Sequence, residues 1–243
     1  MELLDLVFIV IIAFVTACIT GVTGVAGGLL PAIFLTPIVG ISSIMPVLAV
    51  MLFIGSVSRS WINRFDFHRD AFLRIAIPAI PMVIVGSVVY SLLEPSMIAI
   101  MLGCVVLVSI PLRRLAKSYA VKTSPFVLSC VGGLFGFLAG AATGPGLILI
   151  PFMLGFGLSR TNFVATLAVI AGLTHVARMA TYGSLGLIDQ EILTIGLLAG
   201  AATIPGNMFG RKFLKKITNS NFEVLVDIVA FGGAINFIWL GMS

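Results

Sequence analysis

Apolar residues run along this chain in long blocks separated by short polar stretches, and the block lengths set the first expectation. Stretches of membrane-helix length, about 17–25 residues, occupy 44–62, 71–93, 95–112, 161–182, 190–210 and 222–241, which predicts six full crossings. Two further blocks, 3–40 and 124–158, are too long for one crossing. Each is interrupted near its middle by glycines, as "GVAGG" from Gly24 and as "GPG" from Gly144. Glycine holds a helix poorly, so each block reads as two short helices joined at a tip.

The order is therefore a broken pair and three spans, followed by the same again. "VGIS" at Val39 recurs as "FGLS" at Phe156, 117 positions on, and the same step carries Gly55 to Gly172. Pro81 and Gly86 match Pro205 and Gly210, five residues apart in both copies. Four matches in one order predict a duplicated unit. The first repeat covers 1–112, a basic linker 113–123, and the second repeat 124–243.

Composition agrees with a membrane chain. Of 243 residues 60% are hydrophobic and 9% charged, and mean hydropathy is +1.21, far from the roughly 25% charged residues of a soluble domain. The first apolar run lacks the basic start and small-residue cleavage site of a signal peptide, so no cleavage is expected. The net charge of +5 would suggest nucleic acid in a soluble protein; here it is read loop by loop, with the lipid bilayer and no nucleic acid as partner. Cys18, Cys104 and Cys130 sit in apolar runs and read as small buried hydrophobes.

Lys and Arg fall in 59–74, 113–122, at Arg160 and in 211–216, with Arg178 alone elsewhere. If each broken block enters and leaves by one face, or crosses twice, all the basic loops lie in the cytoplasm and both termini lie outside. Each unit then crosses an odd number of times, and the second is inverted relative to the first. The fold class expected is an all-α polytopic membrane protein of two inverted repeats, each a glycine-broken helical hairpin plus three transmembrane helices. Interrupted helices in inverted repeats are the build of secondary transporters, whose site lies between the halves.

The glycine breaks supply the candidate site. At Gly24, Gly27 and Gly28, and at Gly140, Gly144 and Gly146, the backbone can turn and expose amides that a helix would have satisfied. The short helices that follow start at those tips, and a helix N-terminus attracts anions. Pro145 lies where a missing N–H costs little, and Thr23 and Thr143 add hydroxyls. Isolated glycines such as Gly55, Gly172 and Gly196 are read as packing residues. Arg178 is the informative charge, because an arginine within a span marks a pathway or a partner unless it snorkels to the headgroups. His175, one turn earlier on the same face, is deeper, where a lone histidine is more often a packing residue than a proton carrier. The repeat pairs Ser58 and Trp61 with His175 and Arg178, and leaves Arg59 to anchor at the cytoplasmic face. Asn207 is a further uncharged polar candidate, and Asp227 is read as meeting a basic loop.

Beyond Asp5 at their first end, the broken segments carry no carboxylate of the kind a cation carrier needs. The chain has no GxxxxGKS/T, HExxH or GxSxG motif, which argues against a pump or membrane hydrolase. No enzyme activity, metal or cofactor is expected.

With "GVAGGLLP" and "GPGLILIP", each a glycine-rich turn followed by an apolar run with proline, the chain resembles the sulfite exporter TauE/SafE family over nearly its whole length. Proline follows the last glycine by three residues in the first copy and by five in the second. The resemblance implies transport of sulfite, organosulfonates or similar small anions across the bacterial inner membrane, where the outside termini read from the charges would be periplasmic. The function expected is a secondary transporter for a small, sulfur-containing anion. An uncoupled anion channel, or a structural subunit of a membrane complex, are the rival readings, and a homodimer is compatible with the sequence.

Overall fold

The computed structural model describes residues 3–23, 28–118, 122–213 and 220–242, which form ten α-helices and one 3-10 turn, with no strand among them. In the first half these are α1 (Leu3–Thr23), α2 (Leu29–Val39), α3 (Ile44–Ile62), α4 (Arg69–Leu92) and α5 (Pro95–Ser118). In the second they are α6 (Pro125–Ala141), α7 (Gly146–Gly155), α8 (Arg160–Ser184), α9 (Gln190–Phe213) and α10 (Ser220–Met242). The two glycine-interrupted blocks are each a pair of helices, but the first limbs are longer than expected, 21 residues in α1 and 17 in α6.

Local chemistry sets the boundaries. Ser124 and Ser159 each accept a hydrogen bond from the amide three residues on, with Pro125 at the first position of α6; both are ordinary N-caps. The ring of His68 does the same for Ala71 at the start of α4. Gly40, at φ 82°, ends α2 in a backbone region that a side chain would strain. α5 continues through Ser118, so the basic stretch read as linker begins as the last turns of a helix. Charged residues past the apolar run still favour helix, and nothing in 113–118 breaks it.

By length and apolarity α3, α4, α8 and α9 qualify as membrane-crossing helices among the described residues. The described apolar parts of α5 and α10, Pro95–Val108 and Ala230–Met242, are shorter. Large apolar side chains stand open on the outside, among them Leu92, Phe126, Ile77 and Trp239, a surface suited to lipid. Cys104 and Cys130 lie on that surface, which corrects their reading as buried hydrophobes. Their helices turn those faces outward.

Helix pairing crosses between the halves. α4 packs along α6 and α1 along α9; α3 packs on α9 and α4 on α8; α3 crosses α8, and α5 pairs with α10. Small residues make the closest of these contacts possible. A β-carbon added at Gly136 would stand 2.6 Å from Ala79 Cα, one at Gly132 2.8 Å from Ile75 Cα, and one at Gly140 2.7 Å from Ser87 N. On the other side Gly206 faces Ala17 and Gly210 faces the Cys18 carbonyl. Gly196 presses on Val50 and Gly55 on Thr203, whereas Gly172 meets Ser56 Cβ at an ordinary 3.7 Å. Gly136→Leu should therefore destabilise the fold by about 3 kcal/mol or more, because the obstacle is backbone that cannot yield. A thermal melt of the detergent-purified variant, or its loss from the monodisperse fraction, checks this.

Candidate functional site

The two broken segments meet each other inside the bundle. Gly28 lies so close to Thr143 that a β-carbon there would overlap the threonine hydroxyl, and one at Gly144 would overlap Leu29. Gly144 has φ +90°, the left-handed region where glycine alone is unstrained. The sharp turn at residues 142–145 rests on that residue. The tips thus touch at Gly28–Leu29 and Thr143–Gly144.

Beyond the tips, α2 and α7 start without a side-chain cap; the residues at their N-cap positions are Gly28 and Pro145. The amides that open them, of Leu29 and Leu30 in α2 and of Gly146 and Leu147 in α7, have no i−4 carbonyl within their own helices, whereas Ile148 N already donates to Pro145 O at 2.9 Å and Pro31 has no N–H. On the opposite limb, α6 ends at Ala141, and its Gly140 carbonyl accepts a hydrogen bond from the Tyr182 hydroxyl of α8 at 2.9 Å. That bond ties the break to the helix that carries Arg178.

A cavity of about 70 Å³ opens at this junction, several times the ~10–15 Å³ needed to admit one water. The tips line it with Gly28, Thr143, Gly144, Pro145 and Gly146, and α8 lines it with Thr174, His175 and Arg178. Seven of the residues singled out in the sequence therefore face one space: Gly28, Thr143, Gly144, Pro145, Gly146, His175 and Arg178. Thr23 closes α1, while Gly24 and Gly27 lie outside the described residues. Asn207 is elsewhere. It lines a second, smaller chamber of about 10 Å³ with Thr16, Thr20, Gly55 and Thr203, and donates to the Gly55 carbonyl at 3.2 Å.

Arg178 is buried, with 2% of its surface exposed. Its Nη2 reaches the Met45 carbonyl and thioether sulfur, each at 3.3 Å, and its Nε has no hydrogen-bond partner. The guanidinium also stands 5.8 Å from the Tyr182 ring centroid. Burial among α3 and α8 replaces the headgroup-snorkelling reading of this residue. His175, 8% exposed, likewise has an unpartnered Nδ1. Unsatisfied buried nitrogen costs free energy unless something occupies the space beside it.

Arg59 is the residue that sequence reasoning misplaced. It is not simply an anchor at the cytoplasmic face: it lines both the large cavity and the small chamber, and donates to the Ser56 hydroxyl at 3.1 Å. Trp61, matched to Arg178 by the repeat, points outward instead, at 70% exposure. Among the described residues no Asp or Glu lines either space, and the Asp227 side chain lies outside them. The ion pair seen among the described residues, Arg74 with Asp70 at 2.9 Å, lies in the first turns of α4. Among the described residues no cluster of His, Cys, Asp or Glu is large enough to hold a metal ion.

Apolar helices with an apolar outer surface, packed around an internal cavity that Arg59 and Arg178 line, define a polytopic membrane protein. Residues 9–237 match the family described as Sulfite exporter TauE/SafE, and the chain belongs to that family. It is a membrane transport protein rather than an enzyme. No curated protein and no solved structure matches it.

Proposed function

We propose that the protein is a secondary transporter for a small sulfur-containing anion, bound between the two broken-helix tips and Arg178. The observation that carries this reading is the buried guanidinium, with a free Nε, in a cavity where no acidic side chain is found among the described residues. Such a charge needs an anion, and uncapped helix starts add donors and partial positive charge beside it. The family description names sulfite, whose pyramidal oxygens suit a planar guanidinium.

The helix pairing supports two inverted repeats. Exchanging α1–α5 for α6–α10 turns the α4–α6 contact into α9–α1, α3–α9 into α8–α4, and α5–α7 into α10–α2, and all of these pairs are in contact. The α3–α8 and α5–α10 contacts map onto themselves. A two-fold relation of this kind fits alternating access around a central site. The close glycine contacts join helices of opposite halves, so the units that move draw helices from both rather than dividing the chain at the linker.

Several bonds favour the proposed orientation. Thr123 N donates to Gly155 O at 3.3 Å, which brings the two ends of the α6–α7 segment to one face. Asn162 donates to the Asp66 carbonyl, placing the 63–68 connection beside the start of α8. At the other end the Tyr90 hydroxyl meets the carbonyls of Ile41 and Ser42, so the two loops bare of Lys and Arg adjoin. In the bacterial inner membrane the basic face would be cytoplasmic. A membrane-impermeant thiol reagent should label Ser184→Cys in intact cells and spare Lys117→Cys. Labelling of Lys117→Cys would overturn the orientation and with it the parity argument.

Purified protein in liposomes should move sulfite, thiosulfate or a related anion with saturating flux, and a pH gradient tests coupling. Flux that fails to saturate would indicate a channel. No substrate-dependent flux for any sulfur anion would leave a structural subunit as the better reading.

A further inference from the structure

We propose that the cavity is built for a compact oxyanion carrying two negative charges, and that Arg59 is the second of the two cations that balance it. The inference rests on the transporter reading and adds the charge class of the substrate. Two arginines line the same space. Among the described residues Arg178 donates to a carbonyl and a thioether, and its Nε has no partner. Arg59 donates to the Ser56 hydroxyl. These partners are uncharged, and among the described residues no carboxylate lines the cavity or the adjoining chamber.

A charge taken out of water is tolerated when an opposite charge comes with it. One bound negative charge would leave one guanidinium uncompensated; two would bring the lining to neutrality. The helix starts at Gly28 and Pro145 bring no negative charge to the account, since their exposed amides are themselves donors. His175, also unpartnered at Nδ1, offers a further polar contact without altering the balance while neutral. The volume, about 70 Å³, favours a head of a few heavy atoms over a long-tailed sulfonate. The geometry therefore points to the fully deprotonated form of a small oxyanion in preference to a monoanion of equal size.

The test is equilibrium binding to the full-length detergent-purified protein at neutral pH. Sulfate and thiosulfate serve as dianions, methanesulfonate and nitrate as compact monoanions, and the same four anions are run in liposome flux. The native protein should bind at least one dianion about tenfold or more tightly than either monoanion, the scale of one charge-assisted hydrogen bond. Arg59→Gln should weaken the dianion by about tenfold to a hundredfold and change the monoanions only a few-fold, so that the preference collapses. Arg59→Lys should keep the preference, because it keeps the charge.

Equal affinity of the native protein for methanesulfonate and the dianions, with flux of both, would overturn the charge assignment and leave the transporter reading standing. An Arg59→Gln protein that melts like the native one and keeps the full preference would remove Arg59 from the site. Absence of both binding and flux for all four anions, and for sulfite, would overturn the transporter reading and this inference together.

Discussion

Arg178→Gln should bind its anion about a hundredfold more weakly than the native protein, with Arg178→Lys falling between the two. The glutamine keeps a planar, hydrogen-bonding group of moderate size but loses the charge and the fork. At about 1.5–3 kcal/mol for each hydrogen bond to a charged group, losing one or two costs roughly one to two powers of ten in affinity. Lysine restores the charge as a point and cannot reproduce two parallel bonds. Because Arg178 donates only weakly placed bonds to Met45 at 3.3 Å, its removal should not by itself unfold the bundle. Isothermal titration with thiosulfate or sulfite, next to a thermal melt, separates the two effects. Unchanged affinity in both variants, with intact melts, would mean that the site relies on the helix tips alone.

The second large effect belongs to the tips. Gly28→Ala should reduce transport by more than about tenfold, because the added methyl overlaps the Thr143 hydroxyl and forces the two breaks apart, and misplacement by ~1 Å can cost 10²-fold in a positioned site. The remaining neighbours, Thr143 Cβ at 3.2 Å and Leu52 Cδ1 at 3.3 Å, are close but can give by a few tenths of an ångström. Gly28→Ala combined with Thr143→Ala should therefore recover stability lost in the single variant. Non-additive melting temperatures in a double-mutant cycle are the signature. Additive behaviour would show that the tips do not touch, and the cavity they are argued to build would go with them.

Much of this arrangement could be read from the sequence because it rests on local chemistry. The bounds of α3, Ile44–Ile62, follow from apolar length between a glycine turn and the first basic loop, and the structure places them there. The tip glycines were visible because they interrupt runs that otherwise favour helix. Arg178 stood out as a charge without a loop.

Arg59 was not legible for two reasons. It lies one turn from a basic loop, where arginines usually anchor at the interface. The repeat register taken from the loops also pairs its neighbour Ser58 with His175. A register one residue shorter, 116 positions, pairs Arg59 with His175 and Leu52 with Ala168, and all four line the cavity. Loops tolerate a one-residue difference between copies, whereas helix faces do not. The chamber around Asn207 was hidden for another reason. Its threonines donate to their own helix carbonyls, as Thr16 does to Ile12 O at 2.7 Å and Thr203 to Gly200 O at 2.6 Å, and read in sequence as ordinary hydroxyl residues in apolar spans. The cross-half pairing was equally silent, since a face of small residues announces close approach but not to which helix.

That pairing bears on how the chain is made. Helices enter a membrane in the order of synthesis, so α4 is in place, with Ala71, Ile75 and Ala79 turned toward a neighbour, before α6 has left the ribosome. α1 waits longer still, because its partner α9 comes near the end of the chain. Until the second half arrives, the faces of α1, α3, α4 and α5 that pair with it have only lipid to meet. Translation that stops after the linker would therefore yield a fragment without the partners its main helix contacts require.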